Sequence, residues 1–215
     1  GNGGRIAIGI RKMTATNRAF LLDVINEQLT SETWTPLCES LYEANQYFSG
    51  SVVDFGDDDI DVGIGPDKYL KNTPPRDTVI EAGGSYISPF SDCVSSVSHV
   101  ILITDGEPTN DYGADSRILA LKSKVQKTDS DHYPEFDADG NPVMIDVAFT
   151  DETTDFNHDP YTADGSNSYL PALAGWMSTY DVNPYLAGIQ TVLTHTIGFS
   201  SGADDARALL EETAI

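Results

Sequence analysis

The chemistry on offer in this chain is that of oxygen donors for a hard cation. Asp105 lies in VILITDGEPTND, Val100 to Asp111, where four apolar residues run straight into an acidic, glycine-containing turn. Such a stretch reads as a buried parallel strand that delivers its acid to the carboxyl edge of a sheet, the edge where open α/β folds bind ligands. Thr35 lies in Trp34-Thr35-Pro36-Leu37, ahead of a proline suited to the first turn of a helix. A carboxylate and a hydroxyl offered from two loops at one sheet edge form a seat for Mg²⁺ or Ca²⁺. Two donors alone make a weak site, because Mg²⁺ wants near-octahedral oxygen coordination. A competing reading makes Thr35 a helix cap and Asp105 a turn acid.

Other acidic groupings are less specific. Asp137, Asp139 and Asn141 open like a calcium loop, but Ala148 stands where the bidentate acid belongs, leaving Asp146 as its substitute. An Asx turn explains the same residues. Asp57, Asp58, Asp59 and Asp61 read as a solvated loop tip. No Gly-x-Ser-x-Gly elbow, phosphate-cradling glycine loop or histidine pair at metal-ligand spacing is present. His99 and His195 fall in strands and are expected to be packed, while His132 and His158 lie in acidic loops. The chain therefore reads as a binding module and not an enzyme.

The elements that must position Thr35 and Asp105 follow from periodicity. Residues 5–13 alternate apolar and polar, which predicts an edge strand. Helical spacing predicts helices over 17–29, with Phe20, Leu21, Val24 and Ile25 on one face, and over 36–48, with Leu37, Leu41, Ala44 and Phe48. The Asp105 strand is followed by a predicted helix over 116–126, a short strand over 142–149, a helix over 169–180, a strand over 190–199 and a last helix over 203–213. Two long insertions, about 50–98 and 129–168, interrupt the series. Strands alternating with helices predict an α/β layered sheet with helices on both faces.

Composition narrows the partners. The chain has 215 residues, 40% of them hydrophobic, enough for one core. Its 34 acidic against 12 basic residues give a net charge of -22, which disfavours nucleic acid and anionic membrane surfaces and favours cations or basic partners. No apolar run is long enough for membrane insertion. The two cysteines, Cys38 and Cys93, exclude a disulfide framework but leave one bridge possible between the helix after Thr35 and the start of the Asp105 strand.

Three blocks carry a resemblance. A Thr-Pro-Leu opening a helix, followed on the next core strand by ILITDG, resembles the von Willebrand factor A domain and its metal-ion-dependent adhesion site. WTPLCESLYEANQYFSG, SYISPFSDCVSSVSHVILITDGEPTND and SYLPALAGWMSTYDVNPYLAGIQTVLTHTIGF, in that order, resemble the PilY family of type IV pilus tip adhesins and pilus biogenesis factors. The resemblance implies a Rossmann-like fold and a divalent cation held by Thr35, Asp105 and an Asp-x-Ser-x-Ser loop. It also implies minor pilins and a host-cell or surface receptor as partners, at the outer surface of a Gram-negative bacterium. A larger β-propeller would belong to the same protein. The Asp-x-Ser-x-Ser loop has no counterpart, since Lys12-Met13-Thr14-Ala15-Thr16 puts a cation where a carboxylate is needed. The chain is thus expected to be a fragment that lacks the first strand, first helix and second strand of its domain, and a final strand. The missing strands of its own domain are then a further partner, without which the chain should fold poorly. The alternatives are a divalent-cation-dependent hydrolase and a purely structural tip domain with a vestigial metal site.

Overall fold

A computed structural model describes residues 4–28, 35–57, 61–62, 69–70, 76–90, 95–109, 111–131, 133–151, 156–162 and 167–215. Among them the chain is a mixed α/β structure with five helices and four two-stranded sheets. Helix α1 (Ala15–Asp23) is capped by Thr14, whose hydroxyl accepts from the Asn17 N–H, and widens into a π-helical turn over Val24–Gln28. Helix α2 (Leu37–Ser49) ends at Gly50, which takes the left-handed conformation (φ 70°) that closes many helices. Two small antiparallel pairs follow: β1 (Asp61–Val62) with β2 (Tyr69–Leu70), then β3 (Glu81–Ala82) with β4 (Ser85–Tyr86).

The centre is one parallel pair. Strand β5 (Ser95–Thr104) runs beside β8 (Ile189–Gly198) over ten residues, with Leu102 opposite Thr196 and Thr104 opposite Gly198. Between them in sequence come α3 (Asp115–Ile118), the antiparallel hairpin β6 (Lys122–Gln126) with β7 (Met144–Ala148), and α4 (Leu170–Thr179). Helix α5 (Arg207–Thr213) closes the chain.

Helix α4 is apolar almost all round, and so it is central: it packs on β8, α5 and α2. Leu170, Leu173 and Met177 are fully buried, and Trp176 meets Phe149, Phe156 and Tyr180 at ring-centroid distances of 5.6, 6.0 and 4.7 Å. Residues alternating along β5 and β8 give the sheet an inner face of Leu102, Thr104, Gln190, Val192 and Thr194 under these helices. No helix among the described residues is long and apolar enough to cross a membrane.

Two expected elements differ. Residues 5–13 form no strand. The Gly9 N–H donates to Asp77 Oδ2 (2.8 Å), the Ile10 N–H to Tyr47 Oη (2.8 Å), and Arg11 pairs with Asp77. Side chains thus satisfy the backbone groups that a sheet ladder would have used. The helix expected over 116–126 stops at Ile118, and Lys122–Gln126 turns into β6, with Val125 paired to Ile145. The short strand expected over 142–149 is present as β7, and the helices over 36–48 and 169–180 are present as α2 and α4.

Helix α1 contrasts with α2. Of its expected apolar stripe Val24 is buried, in the π-helical turn, whereas Phe20 and Ile25 are exposed and no residue of Ala15–Asp23 is buried. The sheet was expected to carry helices on both faces, and among the described residues no helix covers its outer face, where Val97, Ile101, Ile103 and Ile197 are exposed. Among the described residues no backbone partner lies along the far edge of β5 either, so residues 5–13 have not closed up against it.

Candidate metal centre at the sheet rim

The loops that carry Thr35 and Asp105 meet at one rim. The Thr109 N–H, four residues after Asp105, donates to the Thr35 carbonyl at 3.1 Å, which fastens the loop after β5 to the mouth of α2. Pro36, and not Thr35, occupies the cap position of α2, with no side-chain cap bond. Thr104 shapes the turn, its hydroxyl donating to the Gly106 carbonyl (2.9 Å) and accepting from the Gly106 N–H (3.3 Å). The Asp105 side chain is left exposed.

The loop after β8 completes the rim. Ser200 donates from Oγ to the Asp105 carbonyl at 3.0 Å and holds φ 69°, ψ 170°, a region that a residue with a side chain occupies only under strain. Gly202 lies so close to the same carbonyl that a Cβ there would collide with it. Strain and close approach thus both converge on the peptide that carries Asp105.

Behind the rim sits a buried acid cluster that sequence reasoning missed. Asp111 is 6% and Glu39 1% exposed. Asp111 Oδ1 accepts from the Cys38 N–H at 2.7 Å and Oδ2 from Ser168 Oγ at 2.9 Å, while Glu39 Oε1 accepts from the Gly113 N–H at 2.7 Å. Burial first, and the neighbouring Glu39 second, push Asp111 up to about 8. Two carboxylates hydrogen-bond each other only with a proton between them. Glu39 Oε2 has no partner while both are ionised, and a shared proton removes that deficit. Asp115 is pushed up to about 6 by burial and then by Glu39. The cluster ties the first turn of α2, the loop after β5 and the start of α4 into one unit. Its parts are 72 and 57 residues apart in sequence, and no local signal marked it, since Glu39 stands opposite the predicted apolar face of Leu37, Leu41, Ala44 and Phe48.

Glu43, one turn along α2, shows what a fully satisfied buried acid looks like. It accepts from the N–H groups of Phe55 (2.9 Å) and Asp54 (3.3 Å) and from Tyr86 Oη (2.5 Å). Burial still raises its pKa, but every lone pair has work, and its role is to hold α2 to the segment behind it.

The remaining sequence candidates are scattered. Asp137 Oδ1 accepts from the N–H groups of Asp139 (2.9 Å) and Asn141 (2.8 Å), an Asx turn closed on itself, and Asp146 sits away on β7 opposite Lys124. Cys38 has a free, fully buried thiol, whose pKa burial raises well above its ordinary value, with Asp111 adding to the effect. Cys93, its expected partner, lies outside the described residues. His99 and His195, expected to be packed, are exposed and touch each other.

As a donor set the rim supplies one carboxylate and one hydroxyl. Among the described residues no three His, Cys, Asp or Glu side chains gather at metal-binding distances. The two donors suit a hard cation by type and fall short by number. Compared with protein-family models, curated proteins and solved structures, the chain has no significant match.

Proposed function

We propose that this chain is an adhesion module at the tip of a type IV pilus, of the PilY kind, working through a divalent cation at the Thr35–Asp105 rim. The observation that carries the reading is the Thr109-to-Thr35 hydrogen bond, which sets the TDG and TPL loops side by side with the Asp105 carboxylate open to solvent. A hard cation seated there would have coordination positions left over for a carboxylate from a receptor. The net charge of -22 supports a cation-mediated contact over direct binding to an anionic surface. No nucleophile–base pair is assigned at the rim, and the reading is of binding without catalysis.

The bare edge of β5 and the exposed outer face support a second element of the proposal: further strands and a helix of the same domain cover them. A parallel sheet is stable when both faces are covered, and an open strand edge is a template for pairing. A strand on that edge would end at the same rim and bring the missing metal ligands beside Asp105. The partners of the assembled tip are then minor pilins and a surface receptor, at the exterior of a Gram-negative cell.

The test is capture of minor pilins by the immobilised chain in Mg²⁺, in Ca²⁺ and in chelator. Retention that needs the cation and disappears in Asp105→Ala supports the reading. Retention indifferent to both chelator and substitution overturns it.

A further inference from the structure

The outer face of the parallel pair carries a second feature, remote from the rim. His99 of β5 and His195 of β8 are 96 residues apart, but the register sets Ile101 opposite His195 and His99 opposite Leu193, so the two imidazoles are diagonal neighbours on the same side of the sheet. His99 Nδ1 and His195 Nε2 are 2.9 Å apart, the rings are 16° from parallel, and their centroids are 5.1 Å apart. That centroid distance is close to the nitrogen contact plus the two ring radii, so the nitrogens lie near the line between the ring centres. One ring donates N–H and the other accepts. Both side chains are exposed, and their neighbours on this face are Val97, Ile101, Leu193 and Ile197, none of them charged.

We infer that His99 and His195 form a two-imidazole site for a late transition-metal dication, distinct from the hard-cation rim. The spacing is the first reason. Two metal–nitrogen bonds of about 2.0–2.1 Å meeting at a right angle separate their nitrogens by about 2.9 Å, whereas a tetrahedral angle demands about 3.4 Å. The 2.9 Å spacing therefore lies nearer the cis arrangement of square-planar or octahedral Cu²⁺ and Ni²⁺ than the wider one of tetrahedral Zn²⁺. Ligand type is the second reason, since imidazole suits these ions and the hard Mg²⁺ and Ca²⁺ prefer oxygen. The protein's charge of -22 is the third, because it concentrates dications at the surface.

Binding asks for two small adjustments. The ring that donates moves its proton to its other nitrogen, which frees a lone pair at unchanged charge. Each ring then turns about its side-chain bonds until the lone pairs converge on the metal, a motion that exposed side chains make in picoseconds to nanoseconds. The strands need not move. Water, or a donor from an element packed on this face, fills the remaining positions. His99 stands six residues before Asp105 on β5, about 20 Å away at the rise of a strand, so loss of one site leaves the other testable.

The experiment is a titration of the intact chain with NiCl₂, chosen because Ni²⁺ is not reduced by the Cys38 thiol, in buffer with excess MgCl₂ to occupy the acidic surface. Calorimetry gives the stoichiometry, and paramagnetic broadening of the imidazole proton resonances gives the location. The expected result is one Ni²⁺ per chain, with His99 and His195 broadened before His158. Affinity should fall at least ten-fold in His99→Asn and in His195→Asn, and the double variant should be no weaker than a single one by more than about two-fold, because a chelate is lost with either ligand. Equal broadening of His158 in the wild-type chain would overturn the site without recourse to any variant. Unchanged affinity in the folded double variant would overturn it as well.

Discussion

On the inner side of β5 and β8, Leu102, Thr104, Val192 and Thr194 are sealed beneath helices, whereas on the outer side of the same two strands Val97, Ile101 and Ile103 are 58, 58 and 62% exposed. The residue types on the two sides differ little. What differs is the second layer: α4 and α5 cover one face, and no described element covers the other. A ten-residue parallel pair with β-branched side chains on both faces is built to lie between two layers. The outer face and the edge of β5, uncovered among the described residues, are what support the proposed docking of further elements, and the rim that carries Asp105 is the end of that same edge.

The comparison is sharpest where it is broken in the core. Leu173→Ala removes a side chain with no exposure from the helix that seals the inner face. It should cost about 2–5 kcal/mol, measured as a shift in urea midpoint at constant slope. A loss under about 1 kcal/mol would mean that α4 is less tightly seated than its burial says.

The acid cluster gives an intermediate effect with a definite sign. Asp111 is held at about 8 in the folded chain against an ordinary 3.8, so the folded state binds the extra proton between those values. The stability it contributes is complete below about 4 and is lost as pH rises towards about 8. Urea unfolding at pH 5 and pH 8.5 should show lower stability at the higher pH. Asp111→Asn, which keeps the acceptor for Cys38 and cannot ionise, should flatten that slope by about 1–3 kcal/mol, the usual size of a buried polar deficit. An unchanged slope in the variant would assign the pH dependence to other groups.

The outer face should give the smallest change in stability. Ile101→Thr with Ile103→Thr should move the unfolding free energy by about 0.5 kcal/mol or less, as exposed substitutions do. The same double variant should reduce self-association of the chain in light scattering, because it removes part of an exposed apolar patch. A loss as large as that of Leu173→Ala would show that the face is already covered in solution.

These two faces also mark how far the sequence could be read. Helices α2 and α4 were legible because their apolar residues recur at helical spacing and are buried in place, and ILITDG and TVLTHTIGF were legible as strands. Residues 116–126 misled because Ile118, Leu119, Leu121 and Val125 fit a helix, while Ser123 and Val125 also fit the alternation of a strand. The partner strand, β7, which decides between them, lies about twenty residues on. Residues 5–13 alternate like a strand but take their hydrogen bonds from Asp77 and Tyr47. The approach of the Thr35 loop to the Asp105 loop was legible from their motifs. The Glu39–Asp111–Ser168 cluster and the His99–His195 pair were not, since each joins segments dozens of residues apart, which no local pattern encodes.

The most direct test of the rim is backbone amide shift mapping during titration with MgCl₂. The account predicts shifts confined to Thr35, to residues 105–109 and to residues 200–202, weak in affinity and abolished by Asp105→Ala. Shifts gathered instead around Asp137, or unaltered by that substitution, would contradict it.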